Sequence, residues 1–235
     1  MRAAVSLVAV STLCAALLAG CAPPGYYGSR AYAQYQQGYH VVRTGETLYS
    51  IAWRYRLNYH WLAAWNRIPP PYLIHPGQRL WLRAPQMAPR HREVVRAPAR
   101  PVRGPEPVFT ARPLAWRWPT AGLVVQAFAA QDPTGRGLEI TGKLGQPVVA
   151  AAPGRVVYSG SGLRGYGQLI IIKHGNSYLS AYGYNRKLLV KEGDRVQAGQ
   201  PIAEMGSVGG KPPMLYFEIR RDGKPVDPLR YLPRR

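Results

Sequence analysis

Residues 165–184 read GYGQLIIIKHGNSYLSAYGY. The run Leu169-Ile170-Ile171-Ile172 is short, rich in β-branched residues and closed by His174-Gly175-Asn176, and a second run from Tyr178 to Tyr182 follows it. Short apolar runs of this composition between turn residues describe strands. The same punctuation recurs outward in both directions. Leu123-Val124-Val125, Pro147 to Ala150 and Val156-Val157-Tyr158 precede it, and Pro201-Ile202-Ala203 and Met214 to Ile219 follow. No long helical period interrupts them, so residues 114–235 predict a mainly antiparallel β domain.

Towards the N-terminus the composition changes. Residues 84–113 interleave Arg90, Arg92, Arg96, Arg100, Arg103 and Arg112 with seven prolines from Pro85 to Pro113, which makes a solvated, extended linker. Before it lies a small unit, residues 39–83. His40-Val41-Val42 predicts a strand, Thr44 a helix cap, and Thr47 to Ala52 a helix. A second helix runs near Tyr59 to Trp65 and closes at Asn66, and Leu80-Trp81-Leu82 after Pro76-Gly77-Gln78 makes a return strand. This βααβ unit is small and carries no disulfide, so it needs large aromatics inside. Trp53, Trp61 and Trp65 at helical spacing read as core, at least two of the three.

The first residues address the chain. Arg2, the apolar run from Ala3 to Ala16 and the ending Leu18-Ala19-Gly20-Cys21 have the form of a secretory signal, residues 1–20. The run is short for a membrane span of about 20 residues. Residues 21–38, rich in Tyr, Gly, Gln and Ala with no apolar period, read as a flexible tether. The chain of 235 residues carries 31 Lys and Arg against 11 Asp and Glu, a net charge of +20, which points to a polyanionic partner. Export argues against nucleic acid as that partner. With 2 Cys and 5 His, a disulfide scaffold is excluded and metal ligands are scarce.

Several stretches resemble known families. Leu-Ala-Gly-Cys resembles the bacterial lipobox, which implies Cys21 as a lipidated N-terminus and an anchor in the membrane; Ala22 after it favours outer-membrane sorting. YHVVRTGETLYSIAWRY, LAAWN and IHPGQRLWL together resemble the LysM domain. That resemblance implies binding of peptidoglycan glycan strands in a groove lined by Gly45, Glu46, Thr47 and Leu48 on one side and Ile74, His75 and Pro76 on the other. WPTAGLVVQAF, GQPVVAAAPGRVVYSG, VQAGQPIAEMG and LYFEIRRDGKPVDPLRYL, with the opening stretch, resemble the LytM or lysostaphin-type zinc endopeptidase domain.

The family pattern is broken where its chemistry sits. The resemblance implies a zinc held by His and Asp of H-x-x-x-D and by the last His of H-x-H. It also implies assisting histidines in Tyr-x-His and as the first His of H-x-H. Those places fall on Gly135 and Glu139 in GRGLE, on Tyr184 in Tyr182-Gly183-Tyr184, and on Met214 and Tyr216 in Met214-Leu215-Tyr216. Catalytic zinc takes three protein ligands and an open position for water. Residues 114–235 hold a single His, His174, and no Cys, so no cofactor is expected. His174 reads as a structural turn residue, and Ser180 beside it lacks a third group to complete a nucleophilic arrangement.

Lipobox, LysM, basic linker and degenerate LytM domain together resemble the NlpD type of murein hydrolase activator. That implies a catalytically inactive, lipid-anchored protein whose vestigial active site engages a periplasmic zinc amidase during cell separation. The groove would comprise Gly135, Glu139, Arg164, Tyr166, Tyr182, Tyr184, Met214 and Tyr216, its aromatic and thioether surface suiting an amphipathic helix. The alternatives are a structural peptidoglycan-binding lipoprotein and a zinc endopeptidase with unusual ligands. Cys21→Ser is expected to abolish lipidation; the measurement is membrane fractionation, and a substituted chain still found in the membrane at mature size overturns the lipobox reading.

Overall fold

The computed structural model describes residues 38–84, 114–130 and 136–235. The leader, Cys21, the tether to residue 37, most of the linker and Gly135 lie outside them. Among the described residues, no helix is long and apolar enough to cross a membrane.

The small unit forms β1 (Tyr39–Val41), α1 (Leu48–Tyr55), α2 (Tyr59–Trp65) and β2 (Arg79–Trp81), with β1 and β2 paired antiparallel. Thr44 does not cap α1. The cap is Thr47, extended at φ −113°, whose hydroxyl accepts from the Ser50 backbone N–H at 3.1 Å while the Ser50 hydroxyl accepts from the Thr47 N–H at 3.0 Å. The three residues from Thr44 to Glu46 instead turn the chain from β1 into that reciprocal cap, which satisfies two helix-end donors at once. Trp53 is core at 2% exposure, but Trp61 is 62% exposed and Trp65 half-buried, so one tryptophan is core where at least two were expected. Trp61 lies on the side of α2 away from Tyr59, Leu62 and Ala63, which fill the inner face.

The large unit is one antiparallel sheet. Its strands are β3 (Val124–Gln126), β4 (Leu138–Thr141), β5 (Pro147–Val149), β6 (Gly154–Gly160), β7 (Gln168–His174), β8 (Tyr178–Leu188), β9 (Arg195–Val196), β10 (Pro201–Met205), β11 (Met214–Arg221) and β12 (Lys224–Val226). The path runs β3-β4-β11-β8-β7-β6-β9, with β10 joining β5 to β8 and β12 beside β11. The strand β4 escapes the apolar-run reading because Glu139 splits it.

The run Leu169 to Ile172 has no polar alternation because both faces of β7 are covered. Ile170 and Ile172 point into the sheet's own core with Val156, Tyr182, Leu215 and Phe217. Leu169 and Ile171 point the other way with Val157, Leu179 and Ala181, into one continuous cluster with Ile51, Trp53, Tyr59 and Leu62 of the small unit. Each such aliphatic side chain contributes about 1.5–3 kcal/mol on burial, so sheet and helices hold each other by their apolar faces. Polar ties seal the junction. Thr47 Oγ1 donates to Val157 O at 3.0 Å, Tyr59 Oη to Asn176 O at 3.0 Å and Arg54 Nη2 to Gly162 O at 3.2 Å. Arg220 of β11, 1% exposed, donates from Nη1 to Trp53 O at 2.9 Å and lies 3.5 Å over the Trp53 ring. At Gly223, φ +81°, a Cβ would fall 2.6 Å from the Asn58 nitrogen, so only glycine admits this approach.

His174 and Ser180 are structural. Both are buried, the imidazole Nδ1 facing Pro153 O at 2.8 Å and Nε2 facing Ser180 Oγ at 2.7 Å, with the Tyr182 hydroxyl 2.9 Å beyond. Pro153 O only accepts, so Nδ1 carries the ring proton. Burial pushes the His174 pKa from 6.5 down to about 4, against the opposing pull of the Pro153 carbonyl. The unfolded chain therefore binds the extra proton first, and stability present above pH 6.5 is lost as pH falls towards 4. A displacement of that size is worth about 3 kcal/mol. Denaturant midpoints at pH 7 and 4.5 are expected to differ for the natural chain and to converge for His174→Gln.

Candidate functional site

The cleft expected from Glu139, Tyr184 and Tyr216 is formed by strand register. Tyr216 of β11 sits opposite Glu139 of β4 on one side and Gly183 of β8 on the other. Tyr166, on the loop between β6 and β7, lays its ring edge-on to Tyr216 at 5.3 Å, and Tyr184 packs on the same ring at 5.6 Å. Tyr184 has φ +66°, an uncommon backbone state for a side-chain-bearing residue. It is pinned there from both sides: its N–H donates to Tyr166 O at 2.8 Å and its carbonyl accepts from Gly206 N at 2.9 Å. Such strain persists only where surrounding bonds over-determine it, and it turns the Tyr184 hydroxyl towards the cleft floor.

On that floor Glu139, 7% exposed, accepts from Tyr184 Oη at 3.3 Å and from Lys211 Nζ at 3.0 and 3.2 Å on its two oxygens. Lys211 escapes sequence reading. It lies in the Gly209-Gly210-Lys211-Pro212-Pro213 loop just before β11, and no spacing rule ties it to a carboxylate 72 residues earlier. Burial first, and then the Glu139 charge, pushes the Tyr184 pKa up to about 12. Tyr216 is raised further by burial and by Glu218, to which its hydroxyl donates at 2.6 Å. Both phenols therefore stay neutral donors. Glu218 in turn accepts from Arg220 Nε at 2.7 Å, so the cleft connects through Tyr216, Glu218 and Arg220 to the Trp53 backbone.

Two groove assignments need correction, and a third lies outside the described residues. Tyr182 is wholly buried, its ring against Phe217 at 5.4 Å and its hydroxyl accepting from Ala151 N at 2.8 Å, so it belongs to the core behind the cleft. Strand alternation alone would put Tyr182 and Tyr184 on one face, since they straddle a residue, but the left-handed turn at Tyr184 sends the second ring elsewhere. Met214 is 6% exposed and bridges to Gly206, which closes it off from a partner. Gly135 lies outside the described residues. Arg164 is exposed on the loop that carries Tyr166, at the rim.

The donors present do not fit zinc. Among the described residues Glu139 is the one carboxylate of the cleft floor, it is already matched by the Lys211 ammonium, and Tyr184 and Tyr216 are held protonated. Among the described residues, no three of His, Cys, Asp and Glu converge. Zinc wants three deprotonated nitrogen, sulfur or oxygen ligands in tetrahedral array.

The glycan-lining residues of the small unit part company. Gly45, His75 and Pro76 are exposed and Glu46 and Ile74 half-buried, and Gly77 N→Val42 O and Val42 N→Gln78 O, both 2.8 Å, hold the two loops side by side. Thr47 and Leu48 are buried, the hydroxyl of Thr47 being committed to Val157, so neither side chain is open to a glycan in this arrangement. Glu46 is fixed by His40 Nε2 at 2.6 Å and by the Arg54 guanidinium. Burial opposes its ionisation, but these partners and the Arg43 N–H outweigh it and lower its pKa to about 2.

A βααβ module with two helices joined to a mainly antiparallel β domain is the class of protein these features define. The model of peptidase family M23 matches residues 134–228, and that of the LysM domain matches residues 40–83. Over 232 aligned residues the chain is 46% identical to the lipoprotein NlpD/LppB homologue of Pseudomonas aeruginosa, covering 84% of this chain and 78% of that one. It is 36% identical to the murein hydrolase activator NlpD of Escherichia coli, covering 89% of this chain and 71% of the other. It is also 38% identical to the uncharacterized lipoprotein YgeR of the same bacterium, covering 92% and 88%. The chain belongs to the NlpD/LppB family of lipoproteins.

Dialysed against excess zinc and then desalted, the protein is expected to retain far less than one zinc per chain by elemental analysis; one tightly held zinc per chain overturns the reading of the cleft.

Proposed function

We propose that this protein is a lipid-anchored, peptidoglycan-binding activator of a cell-wall amidase and has no hydrolase activity of its own. The observation that carries the proposal is the cleft: its floor is a Lys211–Glu139 pair under three tyrosine rings, where a hydrolase of this fold would need metal ligands. Among the described residues, no metal-ligand set and no accessible nucleophile paired with a base stands there to activate water. The same surface has the makeup of a recognition site, since the half-buried Tyr166 and Tyr184, backed by the buried Tyr216, supply rigid apolar area with a polar tip and Arg164 stands at the rim. Relatives that carry the name murein hydrolase activator support a partner that is itself the hydrolase. The name outer membrane antigenic lipoprotein B, borne by a Haemophilus influenzae relative 54% identical over 121 residues, supports anchoring at Cys21 in the outer membrane, facing the periplasm. The LysM match supports glycan binding as the means of localisation.

A structural glycan-binding lipoprotein would leave the cleft without a partner, and the two readings separate in one assay. Purified chain is added to peptidoglycan sacculi with and without a periplasmic zinc amidase. Release is expected only with both proteins present. Arg164→Ala, an exposed loop change, is expected to weaken activation without altering the melting temperature, by tenfold or more if it truncates an interface anchor worth about 1.4 kcal/mol or above. Tyr216→Ala is expected to weaken it further and also to lower the melting temperature, because Tyr216 is buried and bonded to Glu218. Release by the chain alone sinks the proposal; unchanged activation by both variants places the partner elsewhere.

A further inference from the structure

The junction between the LysM module and the sheet uses the end of α1 that the glycan reading also needs. Thr47, the cap of α1, is 8% exposed, and its hydroxyl is spent on Val157 O across the junction. Leu48 beside it is fully buried, while Gly45, His75 and Pro76 of the same expected groove stay open. The Thr47 end of one wall is therefore covered by β6, while Gly45 on that wall and His75 and Pro76 opposite stay open. A glycan chain cannot take the covered end while the sheet holds it.

The junction also has the marks of a contact that can part. Beside the apolar cluster that crosses it, the junction is held by a set of polar ties that water can replace on opening. Tyr59 Oη and His60 Nε2 both reach the single carbonyl of Asn176 at 3.0 Å, and Arg54 reaches Gly162 O. At its centre Arg220 binds the Trp53 carbonyl with Nη1, yet its Nη2 is buried with no hydrogen-bond partner. An unmatched buried guanidinium nitrogen is a cost of the docked state that water removes on opening. Arg220 is also the far end of the Tyr216–Glu218–Arg220 chain of hydrogen bonds, so its environment and that of the tyrosine cleft change together.

We propose that peptidoglycan glycan and the β domain compete for the Thr47 end of α1, so that glycan capture lifts LysM off the β6–β7–β8 face and releases the Arg220 tie to the Tyr216 cleft. The proposal rests on the glycan reading of the LysM module and deepens the activator reading, because it makes the state of the cleft depend on whether the protein is seated on its wall. The coupling is thermodynamic: a ligand shifts docking only through its preference for the open state, and docking lowers the apparent glycan affinity by the fraction of molecules that are open.

The test uses the mature full chain and an N-acetylglucosamine hexamer as the probe. Small-angle scattering is recorded without and with saturating hexamer, and binding is measured by calorimetry. The radius of gyration is expected to rise with hexamer, since the 84–113 segment then becomes the link between separated units. Two full-chain variants open the junction without touching the groove. Leu179→Lys places a charge on the β8 face that only the docked state buries, and Arg220→Met removes the central tie. Either one is expected to be expanded without ligand and to bind hexamer more tightly, about tenfold if the docked state outweighs the open one tenfold. Leu179→Lys leaves Arg220, Glu218 and Tyr216 in place, so it remains informative if Arg220→Met misfolds. Saturation of the natural chain with no change in scattering overturns the proposal, because glycan and sheet are then bound at once. Equal hexamer affinity in an expanded Leu179→Lys chain and the natural one overturns it as well. Absence of binding in every form sinks the glycan reading, and the proposal falls with it, whereas failure to activate an amidase alongside a positive competition leaves only the activator reading in error.

Discussion

The central strands of the sheet are apolar on both faces, and the rest of the structure answers that constraint. An antiparallel sheet commonly turns one face to water and alternates its side chains accordingly. Here Leu169 and Ile171 oppose Ile170 and Ile172 across β7, and Leu179 and Ala181 oppose Tyr182 across β8. One face closes on the domain's own core. The other would present a bare apolar surface to solvent, and the LysM helices cover it with Ile51, Trp53 and Tyr59. A 45-residue module is marginal alone, so the helices gain a core as the sheet loses an exposed face.

Burying that face brings a charge with it. Arg220 lies on β11 where the sheet meets α1, and an arginine at 1% exposure needs compensation. Glu218 supplies the counter-charge and Trp53 supplies both a carbonyl and a ring face, the geometry for which a flat guanidinium is suited and a lysine is not. Removing one partner of such a pair typically costs about 3–5 kcal/mol, so this small group decides how the two units sit.

The cleft follows the same electrostatic logic. In a metal-holding site of this shape, a carboxylate is matched by a divalent cation; here the Glu139 carboxylate is matched by the Lys211 ammonium and a tyrosine hydroxyl. Tyr166, Tyr184 and Tyr216 occupy the remaining volume and keep their protons. The outcome is an aromatic surface fixed by strand register and by the strained turn at Tyr184.

Much of this is legible in residue order. Runs of β-branched residues between glycine turns determine the strands, because period and turn chemistry are local properties. That Glu139, Tyr184 and Tyr216 come side by side follows from motif spacing, since strand register carries spacing into space. Tertiary structure alone decided the remainder. It sent Tyr182 into the core and Tyr184 into the cleft through one left-handed residue, brought Lys211 to a carboxylate 72 positions away, and left Trp61 in solvent. It also decided that Leu169-Ile170-Ile171-Ile172 is covered twice. An uninterrupted apolar run states that both faces are buried, but which body covers the second face depends on long-range packing and on the buried Arg220 that ties it down.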